Sequence, residues 1–372
     1  MAAPSGNQNE IRHGEQLVVI AEVGAGLRSY SVGERRILDG YGPEELCTGA
    51  RGHSMTPWPN RIRGGTYTWA GKEFRLDLSE PEKLGAIHGL TRWAPWTYLE
   101  GTAHSAAFGY VLHACPGWDW VLDCRLHYTL DTDGLTVCTT VTNRSGTACP
   151  YATGAHPYLS VETPKIDTAD CQVPGAVYLP VDDAGIPAGR CPVDGTPYDL
   201  REQQPLGDRH IDVAYTQLRR DVDGRARVRL VHGEGPAVTL WVGDAYPYVE
   251  IFTGDTLPEA DGRRTGLGVE PMTCAPDAFN SKEGLITLEP GRTRQARWGI
   301  DRDVRRAWDE GDHRCSRRTR PGGDQRRQRT RPSAGGTARG RAAARHLRDR
   351  RRHRGGRLRL ARTGPGSPGD RP

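Results

Sequence analysis

Alternating hydrophobic and polar positions recur along most of the chain and predict β-strands from near the N-terminus to about residue 300. The pattern is clear in LVVIAEV (17–23), DWVLDCRLHYTL (119–130), LTVCTTVTN (135–143) and YVEIFTG (248–254), which are rich in β-branched and aromatic residues. Asp-Gly pairs at 133–134 and 223–224 are typical of hairpin turns. No long window shows a helical period, so we predict an all-β fold, a large sandwich or barrel-like system of sheets.

The last part of the chain has a different composition. Residues 301–372 contain 23 arginines, eight acidic residues and no lysine, whereas residues 1–300 carry a net charge of −10. A segment so rich in Arg, Gly, Pro and Ser buries too little apolar surface to fold. We therefore predict a flexible N-terminus at 1–14, a single domain at 15–302 and a disordered Arg-rich tail at 303–372. An out-of-frame reading of a GC-rich message explains arginine without lysine better than a nucleic-acid-binding function does.

Targeting signals and cysteines indicate the compartment. The opening residues MAAPSGNQNE lack the basic and apolar regions of a signal peptide, and no apolar run is long enough to span a membrane. The nine cysteines form no CxxC pair, which disfavours structural zinc, and their odd number favours reduced thiols. We predict a cytoplasmic monomer or homodimer that binds no membrane and, through its body, no nucleic acid.

Five segments carry residues suited to a binding site: PWPNRIRGG (57–65), GAIHGLTRWAPW (85–96), YATGAHPYLS (151–160), DRHIDVAYTQL (208–218) and GLGVEPMTCAPDAFNS (266–281). Arg61 offers a planar fork of donors that suits adjacent oxygens. Asp212 lies between two apolar residues, so its carboxylate faces either solvent or a pocket. Glu270 follows an apolar run, where a buried carboxylate needs a partner or a proton. We expect Pro271 to end that strand.

The two histidines of these segments are ambiguous when each is taken alone. His88 has small neighbours, and a structural core histidine is the commoner role for such a residue. His156 precedes a proline, which favours extended backbone and projects the ring from a strand end. His88, His156 and Glu270 could form a two-histidine, one-carboxylate metal site, although no HxH or HExxH spacing supports it. The lack of GxSxG and of a cysteine in a nucleophile context disfavours serine or cysteine hydrolysis.

Taken in order, the motifs PWPNRI, AIHG, GAHPY, IDVAYT and GVEPMTCAPDAFN resemble those of the aldose 1-epimerase (mutarotase) family, most of all its bacterial galactose-mutarotase-related branch. The resemblance spans about residues 15–300. It implies the family fold, a single large antiparallel β-supersandwich, which agrees with the strand pattern. It also implies that the small-molecule substrate is a free aldohexose such as galactose or glucose, whose α and β anomers are interconverted without a metal or other cofactor.

The resemblance also implies roles for the matching residues. Glu270 matches the family's catalytic base, His156 its acid, and His88 a second histidine that steadies the sugar near the reacting oxygens. Arg61 and Asp212 match residues that bind substrate hydroxyls in the family. Asn60, the neighbour of Arg61 in PWPNRI, is the third residue expected to bind substrate. Because a nearby carboxylate stabilises a protonated imidazole, we expect the pKa of His156 to be raised.

Two alternatives of the same fold stay open. A hexose-6-phosphate mutarotase would need a cationic clamp, for which the candidates are Arg61, Arg63, Arg263 and Arg264. A non-catalytic carbohydrate-binding or sensor protein would have no need of a matched acid and base. The run EPMTCAPDAFN departs from the polar run of galactose-specific enzymes, which leaves the preferred sugar open. Three tryptophans could pack either against a sugar or in the core: Trp58, Trp93 and Trp96.

Overall fold

The computed structural model of the chain describes residues 3–302, and nearly all of its regular structure is β-strand. The strands of the first part are β1 (Gln8–His13), β2 (Gln16–Ala21), β3 (Leu27–Val32), β4 (Arg35–Arg36), β5 (Ser54–Met55), β6 (Arg61–Arg63), β7 (Thr66–Trp69), β8 (Lys72–Arg75) and β9 (Gly85–Ile87). Those of the middle part are β10 (Thr97–Thr102), β11 (Ser105–Leu112), β12 (Leu122–Leu130), β13 (Gly134–Asn143), β14 (Cys149–Tyr151), β15 (Gly154–Ala155), β16 (Tyr158–Leu159), β17 (Asp170–Gln172), β18 (Gly175–Leu179) and β19 (Cys191–Pro192). Those of the last part are β20 (Gln204–Pro205), β21 (Asp212–Leu218), β22 (Ala226–Val231), β23 (Val238–Val242), β24 (Tyr248–Phe252), β25 (Leu267–Met272), β26 (Ile286–Leu288) and β27 (Thr293–Asp301).

Helices are few and short in the described part of the chain. There are three single-turn 3-10 helices, at Pro81–Lys83, Ile166–Thr168 and Glu259–Asp261, and one α-helix, α1 (Ala278–Ser281). None of the helices within residues 3–302 is long and apolar enough to cross a membrane.

Two large antiparallel sheets dominate the fold. One has nine strands in the order β10-β11-β12-β13-β27-β23-β22-β17-β20, and the other has eight, β19-β18-β21-β24-β25-β15-β5 with β16 beside β25. Inward-facing residues of both sheets, such as Phe108, Trp298, Val249 and Val269, belong to one continuous buried cluster. Fully burying a side chain of this kind stabilises the fold by about 1.5–3 kcal/mol. This architecture confirms the all-β antiparallel supersandwich.

The strand pattern in the sequence is reproduced closely. The alternation in residues 119–130 and 135–143 becomes β12 and β13, joined by the Asp-Gly turn, and the YVEIFTG segment contains β24. Burial alternates along β12, and along β13 from Leu135 onwards, because one face of the sheet packs on the core and the other is more exposed.

The N-terminal segment is more ordered than we predicted. Part of the segment 1–14 that we expected to be flexible is β1, which pairs with β2 from Gln8 to His13 and buries Ile11. The limits 15–302 of the predicted single domain stay a prediction. The predicted tail, 303–372, lies outside the described residues.

The expectation that Pro271 ends its strand is wrong. β25 continues to Met272, and Pro271 is the register partner of Val249 on β24. The N–H groups of Val269 and Thr273 donate to the carbonyl oxygens of residues 157 and 153. At these alternate positions of β25 the backbone N–H therefore points away from β24. The proline occupies one of these positions, where its missing N–H interrupts no bond to β24.

Candidate active site

A tight loop fixes the position of His88. β6 and β9 pair antiparallel, with Arg61 opposite Ile87, so the PWPNRI and AIHG motifs are adjacent. The N–H of His88 donates to the Asn60 carbonyl at 2.9 Å. His88 and Gly89 both have positive φ, and a Cβ at Gly89 would lie 2.2 Å from the Thr56 carbonyl oxygen. Only glycine fits there, which explains the His-Gly pair.

His156 lies between the short strands β15 and β16, where its backbone and ring are both held. Its N–H donates to the His53 carbonyl at 3.0 Å, and its own carbonyl accepts from the N–H of Gly52 at 2.9 Å. The ring stacks on Tyr158 with 5.0 Å between centroids and 12° between planes. The Tyr158 hydroxyl donates to the Gly49 carbonyl at 2.8 Å, so the supporting ring is itself anchored.

Three carboxylates lie on one face of the eight-stranded sheet. Glu250 on β24 is the register partner of Glu270 on β25, and on the other side β24 pairs with β21, where Asp212 is opposite Phe252. Because side chains alternate along a strand, the three acidic residues point the same way. Glu250 and Glu270 are 2% and 3% exposed, and Asp212 is half-buried.

The histidines and Glu270 converge. His156 Nε2 and Glu270 Oε1 are 3.1 Å apart, and the two imidazole rings meet edge to face at 5.1 Å. Several buried polar atoms here have no hydrogen-bond partner among residues 3–302: His88 Nδ1, His156 Nδ1, Glu250 Oε2 and Glu270 Oε2. Buried polar atoms are normally satisfied, so unpartnered donors and acceptors in one place indicate a site for a polar ligand.

Burial controls the charges of these groups. It raises the pKa of Glu270 well above its ordinary value, with the charge of Asp212 adding to the effect and Arg61 opposing it. Burial and then the charge of Glu270 raise the pKa of Glu250. Burial lowers the pKa of His156 to about 3 and that of His88 well below its ordinary value. Our expectation that the pKa of His156 is raised is therefore wrong, because burial outweighs the backbone hydrogen bond that acts in the opposite direction.

The residues matched to substrate binding lie around this cluster, and two of them, Arg61 and Asn60, have protein partners. Arg61 is 9% exposed, and its Nε and Nη2 donate to the two carboxylate oxygens of Glu80 at 2.6 and 2.9 Å. The Asn60 side chain accepts from the N–H of Arg61 at 2.8 Å, while its carbonyl holds His88. Asp212 shares its sheet face with Glu250. Roles for these three in substrate binding stay predictions.

The cationic clamp considered for a phosphosugar is not assembled from its four candidates. Arg61 is bound by Glu80, Arg63 by Asp182, and Arg264 by both Asp167 and Asp255. Arg263 is exposed. Three of the four guanidinium groups are thus already neutralised by carboxylates.

The same three convergent residues have the geometry of a possible metal site. One ligand atom from each of His88, His156 and Glu270 lies within 4.8 Å of the others. Two histidines and a carboxylate suit several divalent transition metals. The described site is therefore compatible with metal binding as well as with direct proton transfer between side chains.

Three further residues lie at the site without having been predicted from the sequence: Glu80, Glu250 and His53. Glu250 could have been recognised from the sequence, because it is the one acidic residue inside the apolar run YVEIF. No local pattern marks Glu80 or His53. Of the three ambiguous tryptophans, Trp58 and Trp96 are core residues at 2% and 3% exposure, and Trp93 is half-exposed.

Comparisons with known proteins identify the family of the chain. Residues 7–301 match the family model for aldose 1-epimerase. The protein YihR of Escherichia coli strain K12 is 29% identical over 289 residues, 77% of this chain and 91% of YihR. The galactose mutarotase of Homo sapiens is 28% identical over 256 residues, 62% of this chain and 72% of that protein.

Solved structures show the same fold. The GalM/aldose epimerase homologue of C. elegans matches with a TM-score of 0.71 at 16% identity, over 80% of this chain and 99% of that one. The galactose 1-epimerase of Lactobacillus acidophilus NCFM matches with a TM-score of 0.65 at 19% identity, over 79% and 93%.

Proposed function

The chain belongs to the aldose 1-epimerase family, and we propose that it is a mutarotase that interconverts the α and β anomers of an aldohexose such as galactose or glucose. The observation that carries the proposal is the contact between His156 Nε2 and Glu270 Oε1, 3.1 Å apart in a buried site beside His88. This contact brings together a proton donor and a proton acceptor, and their remaining polar atoms are free for a substrate.

Mutarotation needs two proton transfers at opposite ends of one bond. A base removes the proton of the anomeric hydroxyl while an acid protonates the ring oxygen, so the C1–O5 bond breaks and an open aldehyde forms. Glu270 is the proposed base and His156 the proposed acid. Rotation of the aldehyde presents its other face, and closure reverses both transfers.

The proton count of the pair suits this cycle. Ring opening converts ionised Glu270 and protonated His156 into a neutral acid and a neutral imidazole, and closure restores the charges. Glu270 gains one proton as His156 loses one, so the two side chains together carry the same number of protons before and after ring opening. Burial favours the neutral forms of both groups, the pair that accompanies the open-chain sugar, and disfavours the charged pair with which ring opening starts.

The residues around the acid and base are the proposed contacts to the sugar. His88 faces the ring of His156 and is the proposed contact to the reacting oxygens. Arg61, Asp212 and Asn60 are the proposed partners of the sugar hydroxyls. We propose that the reaction uses no cofactor and that the protein acts in the cytoplasm as a monomer or homodimer.

A non-catalytic sugar-binding protein is the rival of another class. Such a protein gains nothing from an acid and a base in contact, because burying two ionisable groups weakens the fold unless they serve each other or a ligand. The pairing of His156 with Glu270 supports the enzyme.

Polarimetry on freshly dissolved α-D-galactose and α-D-glucose tests the proposal. The wild-type protein is expected to speed equilibration well above the buffer rate, and Glu270→Gln and His156→Asn are each expected to reduce the enzymatic rate about 10²–10⁴-fold. Glu10→Gln, at an exposed carboxylate paired with Arg12, is the matched control and should keep the wild-type rate. Full activity in Glu270→Gln would refute the assignment of the base.

A further inference from the structure

The three convergent side chains of the site present atoms that one metal ion can bind together. His88, His156 and Glu270 each offer one such atom, and the three lie within 4.8 Å of one another. His156 Nε2 and Glu270 Oε1 are already 3.1 Å apart. Around a four-coordinate zinc ion with bonds of about 2.0–2.1 Å, neighbouring ligand atoms are separated by roughly 3.4 Å. Side-chain movements of about 1–1.5 Å therefore close the three atoms around one ion.

The backbone holds each of the three ligands in place. The N–H of His88 donates to the Asn60 carbonyl at 2.9 Å, and that of His156 donates to the His53 carbonyl at 3.0 Å. Glu270 lies inside β25, which pairs with β24 on one side and with β15 and β16 on the other. Only side-chain torsions need to change when an ion binds, so little ordering entropy is lost.

Burial favours the form of the histidines that binds metal. Imidazole is a ligand only when it is neutral. Burial lowers the pKa of His156 to about 3 and that of His88 well below its ordinary value, so both rings are neutral at pH 7. Glu270 is 3% exposed, and its Oε2 has no hydrogen-bond partner within the described part of the chain. A buried carboxylate is stabilised by an opposite charge, which a divalent ion supplies.

The types of ligand determine which ions fit. Two imidazoles and one carboxylate suit divalent transition metals such as Zn²⁺ and Co²⁺. Mg²⁺ and Ca²⁺ prefer oxygen ligands alone, and Mg²⁺ gives up its water reluctantly. The site is therefore expected to distinguish Zn²⁺ from Mg²⁺.

The outer nitrogen of His156 indicates that the ion is held reversibly. A histidine that binds metal usually donates its second ring N–H to an acceptor, which fixes the ring and strengthens the bond. His156 Nε2 faces Glu270, and its Nδ1 is buried without a partner among residues 3–302. Loss of such an outer partner weakens metal binding about 10–100-fold. An exchangeable ion fits this arrangement better than a permanent one does.

We propose that His88, His156 and Glu270 bind one divalent transition-metal ion of the chemistry of Zn²⁺, and that this ion reversibly inhibits mutarotation. The ion occupies the nitrogen and oxygen atoms with which the acid and the base transfer protons, so the ion and the sugar compete for one place. The metal-free chain is the active form. The inhibition rests on the proposed function, whereas binding of the ion does not.

A cobalt titration of the EDTA-treated protein tests the binding. One Co²⁺ per chain should bind with the visible absorption of nitrogen and oxygen ligands and without the intense near-ultraviolet band of a thiolate, which separates this site from cysteines such as the exposed Cys115. His88→Gln removes one ligand and should weaken Co²⁺ binding about 100-fold or more. His104→Gln changes an exposed histidine beside His13 and is the matched control, with wild-type affinity expected. Thermal melting checks that each variant is folded.

Rate measurements with added metal test the inhibition. Zn²⁺ should raise the KM for the sugar and leave kcat unchanged, and EDTA should restore the original rate. Mg²⁺ at the same concentration should have no effect. The residual activity of His88→Gln should not respond to a Zn²⁺ concentration that halves the wild-type rate.

The outcomes separate this inference from the proposed function. Absence of Co²⁺ binding, binding that His88→Gln leaves unchanged, or activation by Zn²⁺ would overturn the inference without removing the mutarotase activity. Co²⁺ binding that requires His88, in a protein that accelerates no sugar, would support the metal site and refute the enzyme. Neither binding nor acceleration would refute both.

Discussion

Replacing Glu250 by glutamine is expected to stabilise the fold at alkaline pH, with a smaller effect in acid. Glu250 and Glu270 are register partners and both are almost fully buried. Burial, together with the charge of Glu270, raises the pKa of Glu250 well above its ordinary value of 4.5. The folded chain therefore holds a proton that the unfolded chain releases. The resulting stabilisation is complete below pH 4.5 and is lost as the pH rises through the folded pKa.

The magnitude follows from proton linkage. While the folded state keeps one proton that the unfolded state has lost, the free energy of unfolding falls by about 1.4 kcal/mol per pH unit. Between pH 5 and 8 this amounts to as much as about 4 kcal/mol for one carboxyl. Glutamine titrates in neither state, so the stability of Glu250→Gln relative to wild type should increase across this range.

The buried histidines act with the opposite sign and cancel in the comparison. Burial lowers the pKa of His53 and of His156, each to about 3 from an ordinary 6.5. Their contribution is complete above pH 6.5 and is lost as the pH falls towards 3. Because both proteins contain these residues, the difference between the two unfolding curves isolates the carboxyl pair.

Urea denaturation followed by tryptophan fluorescence at four pH values between 5 and 8 measures the effect. The control is Glu10→Gln, whose carboxylate is exposed and paired with Arg12. Surface substitutions of this kind change stability by about 0.5 kcal/mol or less, without a pH trend of the size expected for Glu250. A stability difference for Glu250→Gln that is the same at pH 5 and pH 8 would refute the reasoning.

Three further outcomes are expected. Phe279→Ala should lower the free energy of unfolding by about 3–5 kcal/mol in urea titrations, because the ring is 1% exposed and packs against Trp58, Tyr67 and Trp118; a loss no larger than that of Phe279→Leu would contradict this. Dialysis against EDTA should leave the mutarotation rate unchanged, whereas a loss reversed by Zn²⁺ would assign the convergent histidines to a metal. A chain ending after Arg302 should melt and turn over like the full chain, because β27 ends at Asp301; a folded but inactive truncation would show that the removed residues take part.

The fold and the family could be predicted because their signals are local. Alternation along the strands follows from one buried face, so the residues of β12 and β13 can be identified without any structure. The family resemblance, now confirmed, rests on five short motifs in a set order along the chain. His88, His156 and Glu270 lie in three such motifs, and the structure brings all three together.

The electrostatics of the site depend on residues far apart in sequence and could not be predicted. The direction of the His156 pKa shift depends on how completely the ring is buried, which no local sequence pattern reveals. The partner of Arg61 is Glu80, 19 residues away on a 3-10 turn segment with no motif of its own. Glu250 could have been suspected from its apolar neighbours, but its role as register partner of Glu270 requires knowledge of the strand pairing.

The position of the three acidic residues on one face of the sheet also disfavours a wrong register between the strands. The other face of β24 and β25 carries Val249, Ile251 and Val269, which belong to the main core. A slip of one residue would turn every side chain of the slipped strand over and place Glu250 or Glu270 among these apolar residues. An unpaired carboxyl in such surroundings costs several kcal/mol even when it takes up a proton. Glu250 and Glu270 thus also make misaligned forms of the sheet unstable, so the proposed base contributes to the accuracy of strand pairing as well as to the chemistry.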